Sequence, residues 1–415
     1  MTVYANSPDG PVEWERLLAK RTDNMKSSAI RELLKITQQP DVISFAGGLP
    51  APEIFPVREI EEACNYLLRH EPKRALQYST TEGHPPLREF LAESMAKYGI
   101  HHGPDNIQIT TGSQQALDLL GKIFIDPHTP ILTGEPTYLG AIQAWRAYQT
   151  RFLTVPLDKK GMRVDLIEDI VKKETPRFLY VLPNFHNPAG TTLPEDRRRR
   201  LVEIARQHDL IIVEDDPYGA LRYEGEDIIP IAALAPERTI YLGTFSKTLT
   251  PGLRIGWIVA PAEIIRRLVQ AKQGSDLHSS TFDQMIANDV AQRGILKVHV
   301  KQIRETYHKL RDVMIEALEE FWPGGCCWTH PEGGLFLWAE TPKSIDTLEF
   351  METALKNKVA YVPGVHFFPH GDGGFNAMRL NFSYAEPETT VKGVQRLGKA
   401  LKEKLAEINA SVSVG

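Results

Sequence analysis

The sequence predicts an α/β fold, with a large domain built on a mostly parallel seven-stranded sheet and a smaller α+β domain after it. Three observations carry this. The chain has 415 residues, too many for one simple core and enough for two domains. Short apolar runs alternate with helical patterns from about residue 107 to 260, as a parallel sheet with helical crossovers requires. Beyond a long helical stretch at 298–321 the pattern changes to strands near 333–338, 359–362 and 378–382, set between helices near 345–357 and 386–408.

Taken in order, residues 1–45 read as an N-terminal arm and helix packing with the small domain. Ser27 and Ser28 stand ahead of the apolar stripe Ala29-Ile30-Arg31-Glu32-Leu33-Leu34, as helix caps do. The large domain is expected over 46–300 and the small one over 301–415. Residues 45–56 hold two glycines and three prolines, which restrict φ and exclude regular structure. Gly47-Gly48 either lets a ligand approach the backbone or is a plain connector. A turn-rich loop at 77–83 leads into a helix at 86–98. The seven strands are expected at 107–111, 130–133, 152–155, 178–182, 210–214, 240–243 and 255–260. Helices at 114–124, 164–173 and 198–208 separate several of them. The last two strands are too close for a helical crossover, so a hairpin-like loop joins them.

Formal charge is 48 − 53 = −5, which gives no reason to expect a nucleic-acid partner. The basic run Arg197–Arg200 sits in a helical stretch and reads as a solvated helix face. Three cysteines, Cys64, Cys326 and Cys327, lack the count and spacing of a disulfide framework or zinc site. No signal-peptide pattern opens the chain, and no apolar run is long enough for a bilayer. A cytoplasmic protein, without membrane attachment or bound metal, is expected.

Parallel sheets bind ligands beyond the carboxyl ends of their strands. After the sixth run, Lys247 lies in a polar loop with Thr244 and Ser246 before it and Arg254 seven residues on. Two hydroxyls and a guanidinium suit a phosphate, and an amine suits a Schiff base with an aldehyde. Pyridoxal 5′-phosphate carries both groups. Gly112-Ser113 opens a helix, which serves a phosphate or only caps the helix. Tyr138 stacks on a flat ring or simply packs. Asn187, held extended before a proline, can donate to a phenolate oxygen, and neighbouring His186 reads as a partly exposed loop histidine. Asp215 suits a pyridinium N–H, keeping the ring able to accept electrons; Asp216 is the alternative. Tyr218 lies three residues beyond Asp215, within reach of the same phenolate oxygen as Asn187. Arg379, on an apolar strand, either closes a structural salt bridge or clamps a substrate α-carboxylate in two-pronged fashion.

Six short motifs then stand in order: Phe-Ala-Gly-Gly-Leu-Pro from Phe45, Ala-Leu-Gln-Tyr-Ser from Ala75, Thr-Gly-Ser-Gln-Gln-Ala-Leu from Thr111, Glu-Asp-Asp-Pro-Tyr from Glu214, Ser-Lys with Gly-Leu-Arg from Ser246, and Ala-Lys-Gln-Gly-Ser-Asp-Leu-His from Ala271. With them the chain resembles the fold-type I pyridoxal-phosphate-dependent aminotransferases of class I/II. It is most similar to the branch of 2-aminoadipate (LysN-type) and kynurenine aminotransferases. The resemblance implies a ping-pong transfer of an amino group from an L-amino acid to a 2-oxo acid such as 2-oxoglutarate. Donors would be 2-aminoadipate, glutamate, leucine or aromatic amino acids. It implies Lys247 as Schiff-base lysine and proton carrier, Asp215 at the pyridine nitrogen, Asn187 and Tyr218 at the 3′-oxygen, and Tyr138 on the ring. Ser113, Gln114, Thr244, Ser246 and Arg254 would bind phosphate. Tyr78 would reach the phosphate of a neighbouring subunit in a homodimer with shared sites. Arg379, with Asn187 and the Gly47-Gly48 backbone, would hold the α-carboxylate, and Arg31 a distal one. The chain departs at Ala189, where the family often has threonine. The rival on the same fold is a β-lyase or other Cα-bond chemistry. A regulator with a fused DNA-binding domain is a different class; only about 40 residues precede Gly-Gly-Leu-Pro, which argues against it.

Overall fold

A computed structural model describes residues 12–25 and 41–413. The expected helix start at Ser27–Leu34, with Arg31, lies outside them. The chain enters through a short strand, β1 (Ile43–Ser44), and then builds an eight-stranded sheet. Its strands are β2 (Ile107–Thr110), β3 (Pro130–Glu135), β4 (Arg151–Asp158), β5 (Gly161–Met162), β6 (Leu179–Val181), β7 (Ile212–Asp215), β8 (Thr239–Thr244) and β9 (Gly256–Val259). They stand in the order β2-β9-β8-β7-β6-β3-β4-β5. Seven match the expected strands; the eighth, β5, is a two-residue edge piece folded back on β4. The pairs β3–β4, β3–β6, β6–β7 and β7–β8 are parallel, whereas β9 is antiparallel to both neighbours, as the short link from β8 demands.

Side chains alternate across this sheet. Phe178, Tyr180, Leu182, Val213 and Leu242 belong to one buried cluster. Leu179, Val181 and Ile212 belong to another on the opposite face. The 27-residue helix Ile295–Phe321 then leads to a four-stranded antiparallel sheet. It comprises β10 (Cys327–Trp328), β11 (Phe336–Glu340), β13 (Val362–Pro363) and β14 (Ala377–Asn381), while β12 (Val359–Ala360) pairs with β1. The strand expected at 359–362 is therefore split: its first half serves β1 and its second half the sheet.

The segment after β1 is held from several sides. Phe45 N–H donates to the Ala360 carbonyl at 2.8 Å, and Asn381 N–H to the Phe45 carbonyl at 2.9 Å. Ser383 Oγ donates to the Leu49 carbonyl at 2.9 Å, and Ala51 N–H to Tyr307 Oη at 3.1 Å. Gly-Gly-Leu-Pro is thus a fixed strap against the second sheet.

The basic run also departs from expectation. Arg198, read as part of a solvated face, is fully buried on the helix Glu195–Gln207. Its guanidinium donates to Asn184 Oδ1 at 2.6 Å and to the carbonyls of Leu193 (2.9 Å), Ile229 (3.0 Å) and Pro183 (3.3 Å). The face turns inward there because loop carbonyls with no ladder partner need donors. Arg199 and Arg200 stay exposed and paired with Glu195, Glu168 and Glu203. Replacing Arg198 by Ala should destabilise the protein by about 2–4 kcal/mol, whereas Arg199→Ala should stay within about 0.5 kcal/mol. Thermal melting of the two variants checks this; equal melting temperatures would sink it.

Candidate active site

Strands β2, β3, β6, β7 and β8 run the same way, so their following residues emerge at one edge. Lys247 stands one turn past β8. Its Nζ donates to the Gly48 carbonyl in the strap at 2.6 Å. Burial, then Arg379 and Arg254 nearby, push its pKa down to about 8. Low dielectric and like charges both disfavour the ammonium.

A second group of residues forms a cationic cup. Gly112 has φ 74°, and a Cβ there would meet Arg254 Nη2 at 2.5 Å. Arg254 is itself left-handed at φ 55°. Its guanidinium therefore lies against the first turn of the helix Ser113–Phe124, whose amides lack carbonyl partners within the helix. Gly256 closes the base, since a Cβ there would meet Ser113 N at 2.9 Å. Thr244 Oγ1 lies 3.0 Å from the Ile255 carbonyl and 2.9 Å from Ser246 Oγ. A helix terminus, a guanidinium and two hydroxyls call for an anion. Gln114 is exposed and turns toward the next helix, donating to the Gly140 carbonyl at 3.0 Å.

Between cup and strap lie the polar groups at the ends of β6 and β7. Asp215 is 2 % exposed. Its Oδ2 accepts from Tyr180 Oη at 2.7 Å, while its Oδ1 is buried without a partner. Burial pushes its pKa up to about 7, with Tyr180 opposing and Asp216 adding to the rise. Asp216 differs: Asn184 Nδ2 (3.0 Å), Gly219 N–H (2.8 Å) and Tyr241 Oη (3.1 Å) occupy both its oxygens. Of the two carboxylates, Asp215 has the oxygen to spare. Asn187 Nδ2 donates to Tyr218 Oη at 3.2 Å, and burial raises the Tyr218 pKa. Tyr138 immediately precedes the helix Leu139–Arg146, close enough to feel Asp215, Arg379 and Arg254. His186, expected to be partly exposed, is buried, with Nδ1 accepting from Ala189 N–H at 3.3 Å. Burial pushes its pKa down to about 3; it is a neutral strut in the loop that carries Asn187.

Arg379 on β14 is 1 % exposed. It donates to Asn187 Oδ1 at 2.9 Å and to the Ala46 carbonyl at 2.6 Å. Its guanidinium carbon lies 4.3 Å from the Phe336 ring centroid and 5.2 Å from that of Phe367. Among the described residues no carboxylate pairs with it, and its Nε has no partner. The structural salt bridge considered for Arg379 is absent among these residues. Tyr78 stands apart from this cluster, 79 % exposed, with its ring edge-on to His278.

Tyr180 escaped the strand-end reading because it lies within a strand. A phenol in an apolar run was the available signal, since a buried hydroxyl needs a partner. The carbonyls of Ala46 and Gly48 left no trace in side-chain identity.

The arrangement joins an amine of lowered pKa, an anion cup, an unpaired buried carboxylate oxygen and an unpaired buried guanidinium. The chain belongs to the family of class I and II aminotransferases, whose model matches residues 41–397. It is 49 % identical to aromatic-amino-acid aminotransferase 1 of Thermococcus litoralis, over 95 % of this chain and 96 % of that one. It is 45 % identical to 2-aminoadipate transaminase of Thermus thermophilus, over 95 % and 99 %. Among solved structures, Pyrococcus horikoshii kynurenine aminotransferase superposes with a TM-score of 0.91 at 45 % identity, covering 95 % of this chain and 98 % of that one. The protein is a pyridoxal-phosphate-dependent transaminase. These matches support transamination and not the β-lyase alternative. No helix among the described residues is long and apolar enough to cross a membrane.

The pKa of Lys247 is directly testable. In competitive acetylation of the apo-protein, Lys247 should titrate near 8. At pH 7 about one Lys247 amine in ten is then neutral. An ordinary lysine value at this position would refute the assignment of its environment.

Proposed function

We propose that this transaminase takes amino groups from 2-aminoadipate, glutamate, leucine and aromatic amino acids and delivers them to 2-oxoglutarate. The observation that carries the reading is Arg379, a buried guanidinium without a carboxylate partner among the described residues. Such a charge is costly without an anion, and every amino donor brings one at its α-carbon. The breadth in side chain is supported by the named activities of the relatives, which include aromatic and 2-aminoadipate donors. Arg31, proposed for a distal carboxylate, lies outside the described residues.

The residues fit the cofactor: Asp215 Oδ1 is an orphaned buried acceptor, and the Gly112–Arg254 cup leaves no room for a Cβ. Pyridoxal phosphate, when bound, supplies an aldehyde for the amino group and a ring that accepts electrons. Ser113, Gln114, Thr244, Ser246 and Arg254 would hold its phosphate, Asp215 its ring nitrogen, Asn187 and Tyr218 its 3′-oxygen, and Tyr138 its ring face. Arg379 grips the substrate carboxylate, with Asn187 and the Gly47-Gly48 backbone beside it. Lys247, once free, takes the proton from the substrate Cα through Nζ. Its low pKa keeps a useful neutral fraction near pH 7, and the Gly48 carbonyl, 2.6 Å away, is an acceptor for the ammonium that results. The exposure of Tyr78 supports its reaching a second copy, and so a homodimer with shared sites. Three free cysteines suit the cytoplasm. The proposed division is a large domain over 46–300 and a small one over 301–415, after an N-terminal segment 1–45.

A steady-state panel of amino donors with 2-oxoglutarate tests this. Activity with 2-aminoadipate and at least one aromatic donor is expected; inactivity toward 2-aminoadipate refutes that assignment. Lys247→Ala should lose turnover. Arg379→Ala should raise KM about 10- to 100-fold for every donor alike, the equivalent of roughly 1.5–3 kcal/mol from one charge-assisted contact. A KM effect confined to acidic side chains would move Arg379 to a different role.

A further inference from the structure

We propose that Tyr180 is a positioning residue of the transamination site, fixing the Asp215 carboxylate so that one oxygen is committed to the protein and the other is presented to the ring nitrogen of the cofactor. The proposal rests on the assignment of Asp215 as partner of that nitrogen.

The sheet register places the two side chains together. β6 and β7 are parallel, with Tyr180 opposite Val213. Paired residues share a face, and Asp215, two residues past Val213, returns to it. The two-residue advance is about 7 Å, a span a tyrosine ring bridges. Its hydroxyl reaches Asp215 Oδ2 at 2.7 Å. The phenol is fully buried, and Trp145 packs edge-on against it with centroids 5.0 Å apart. Trp145 is itself held by its Nε1 donating to the Leu117 carbonyl at 2.9 Å. The hydroxyl therefore has one place to be.

Asp215 has no other anchor among its neighbours. Asp216, the adjacent charge, spends its oxygens on Asn184, Gly219 and Tyr241. Tyr138 and Tyr218 face Asp215 as neutral phenols whose own ionisation burial suppresses. Burial and Asp216 both favour protonating Asp215, and the Tyr180 bond opposes them. Without that bond the carboxylate can rotate and becomes a stronger base. A proton shared between the ring nitrogen and Oδ1 then shifts toward Asp215.

The test uses holoenzyme reconstituted with pyridoxal phosphate labelled with nitrogen-15 in the ring. In the native protein the nitrogen should show a protonated chemical shift over roughly pH 6 to 9. In Tyr180→Phe the signal should move toward the unprotonated value. kcat should fall about 10- to 100-fold with donor KM within about twofold, as expected for losing one hydrogen bond to a charged group. In Asp215→Asn the nitrogen should lose its protonated signal altogether. A native nitrogen shift in Tyr180→Phe beside a changed one in Asp215→Asn overturns the role of Tyr180 and leaves that of Asp215 standing. A native shift in both variants overturns the Asp215 assignment. Should Tyr180→Phe fail to fold, 3-fluorotyrosine at position 180 keeps the shape with a more acidic hydroxyl. It should move the nitrogen signal further toward the protonated value, and an unmoved signal overturns the proposal.

Discussion

The site depends on a positive charge that is buried and that no carboxylate among the described residues neutralises. Arg379 meets a carbonyl, an amide oxygen and two aromatic faces, all neutral. These contacts satisfy part of its hydrogen-bonding capacity without cancelling its charge. Around such a group other cations are disfavoured; burial first, and then this charge and that of Arg254, make Lys247 give up its proton more easily. One buried cation therefore serves two ends. It lacks an anionic partner among the described residues, and with burial it keeps the nearby amine partly neutral.

The cup at the other end uses backbone where the clamp uses a side chain. Gly112 and Arg254 both adopt left-handed φ, and their closeness leaves no space for a Cβ. For Arg254 that conformation is uncommon and costs about 1–2 kcal/mol. The cup thus holds two positive features face to face in a strained turn. That arrangement is reasonable where an anion joins them.

Most of this was legible from the sequence, for a physical reason. Parallel strands announce themselves as apolar runs, and the loops at their ends must carry whatever polar residues the site uses, so Asp215, Asn187, Lys247 and Arg254 could be found by reading the loops that follow the runs. The same logic was blind inside strands and across the fold. Tyr180 looked like core because its face is core; only the register with Val213 aims its hydroxyl at Asp215. Arg198 looked solvated because its neighbours in sequence are. Acceptors brought to it by the fold, the Asn184 amide oxygen and the carbonyls of Pro183 and Ile229 among them, decide otherwise. The strand at 359–362 was read as one because composition does not show that β1 claims half of it.

The strap at Phe45–Ala51 has a consequence for how this protein can diverge. Its contacts with Arg379 and Lys247 are made by the carbonyls of Ala46 and Gly48, and a carbonyl is the same whatever side chain its residue bears. Substitution elsewhere in the strap leaves them in place, whereas a Cβ at Gly48 would press on Phe336 at 3.1 Å. On the roles proposed for Arg379 and Lys247, the grip on features that all amino acids share is thereby insulated from most side-chain changes, and divergence falls to whatever meets the variable part of a substrate. A scaffold divided in this way can change its diet without relearning how to hold its food.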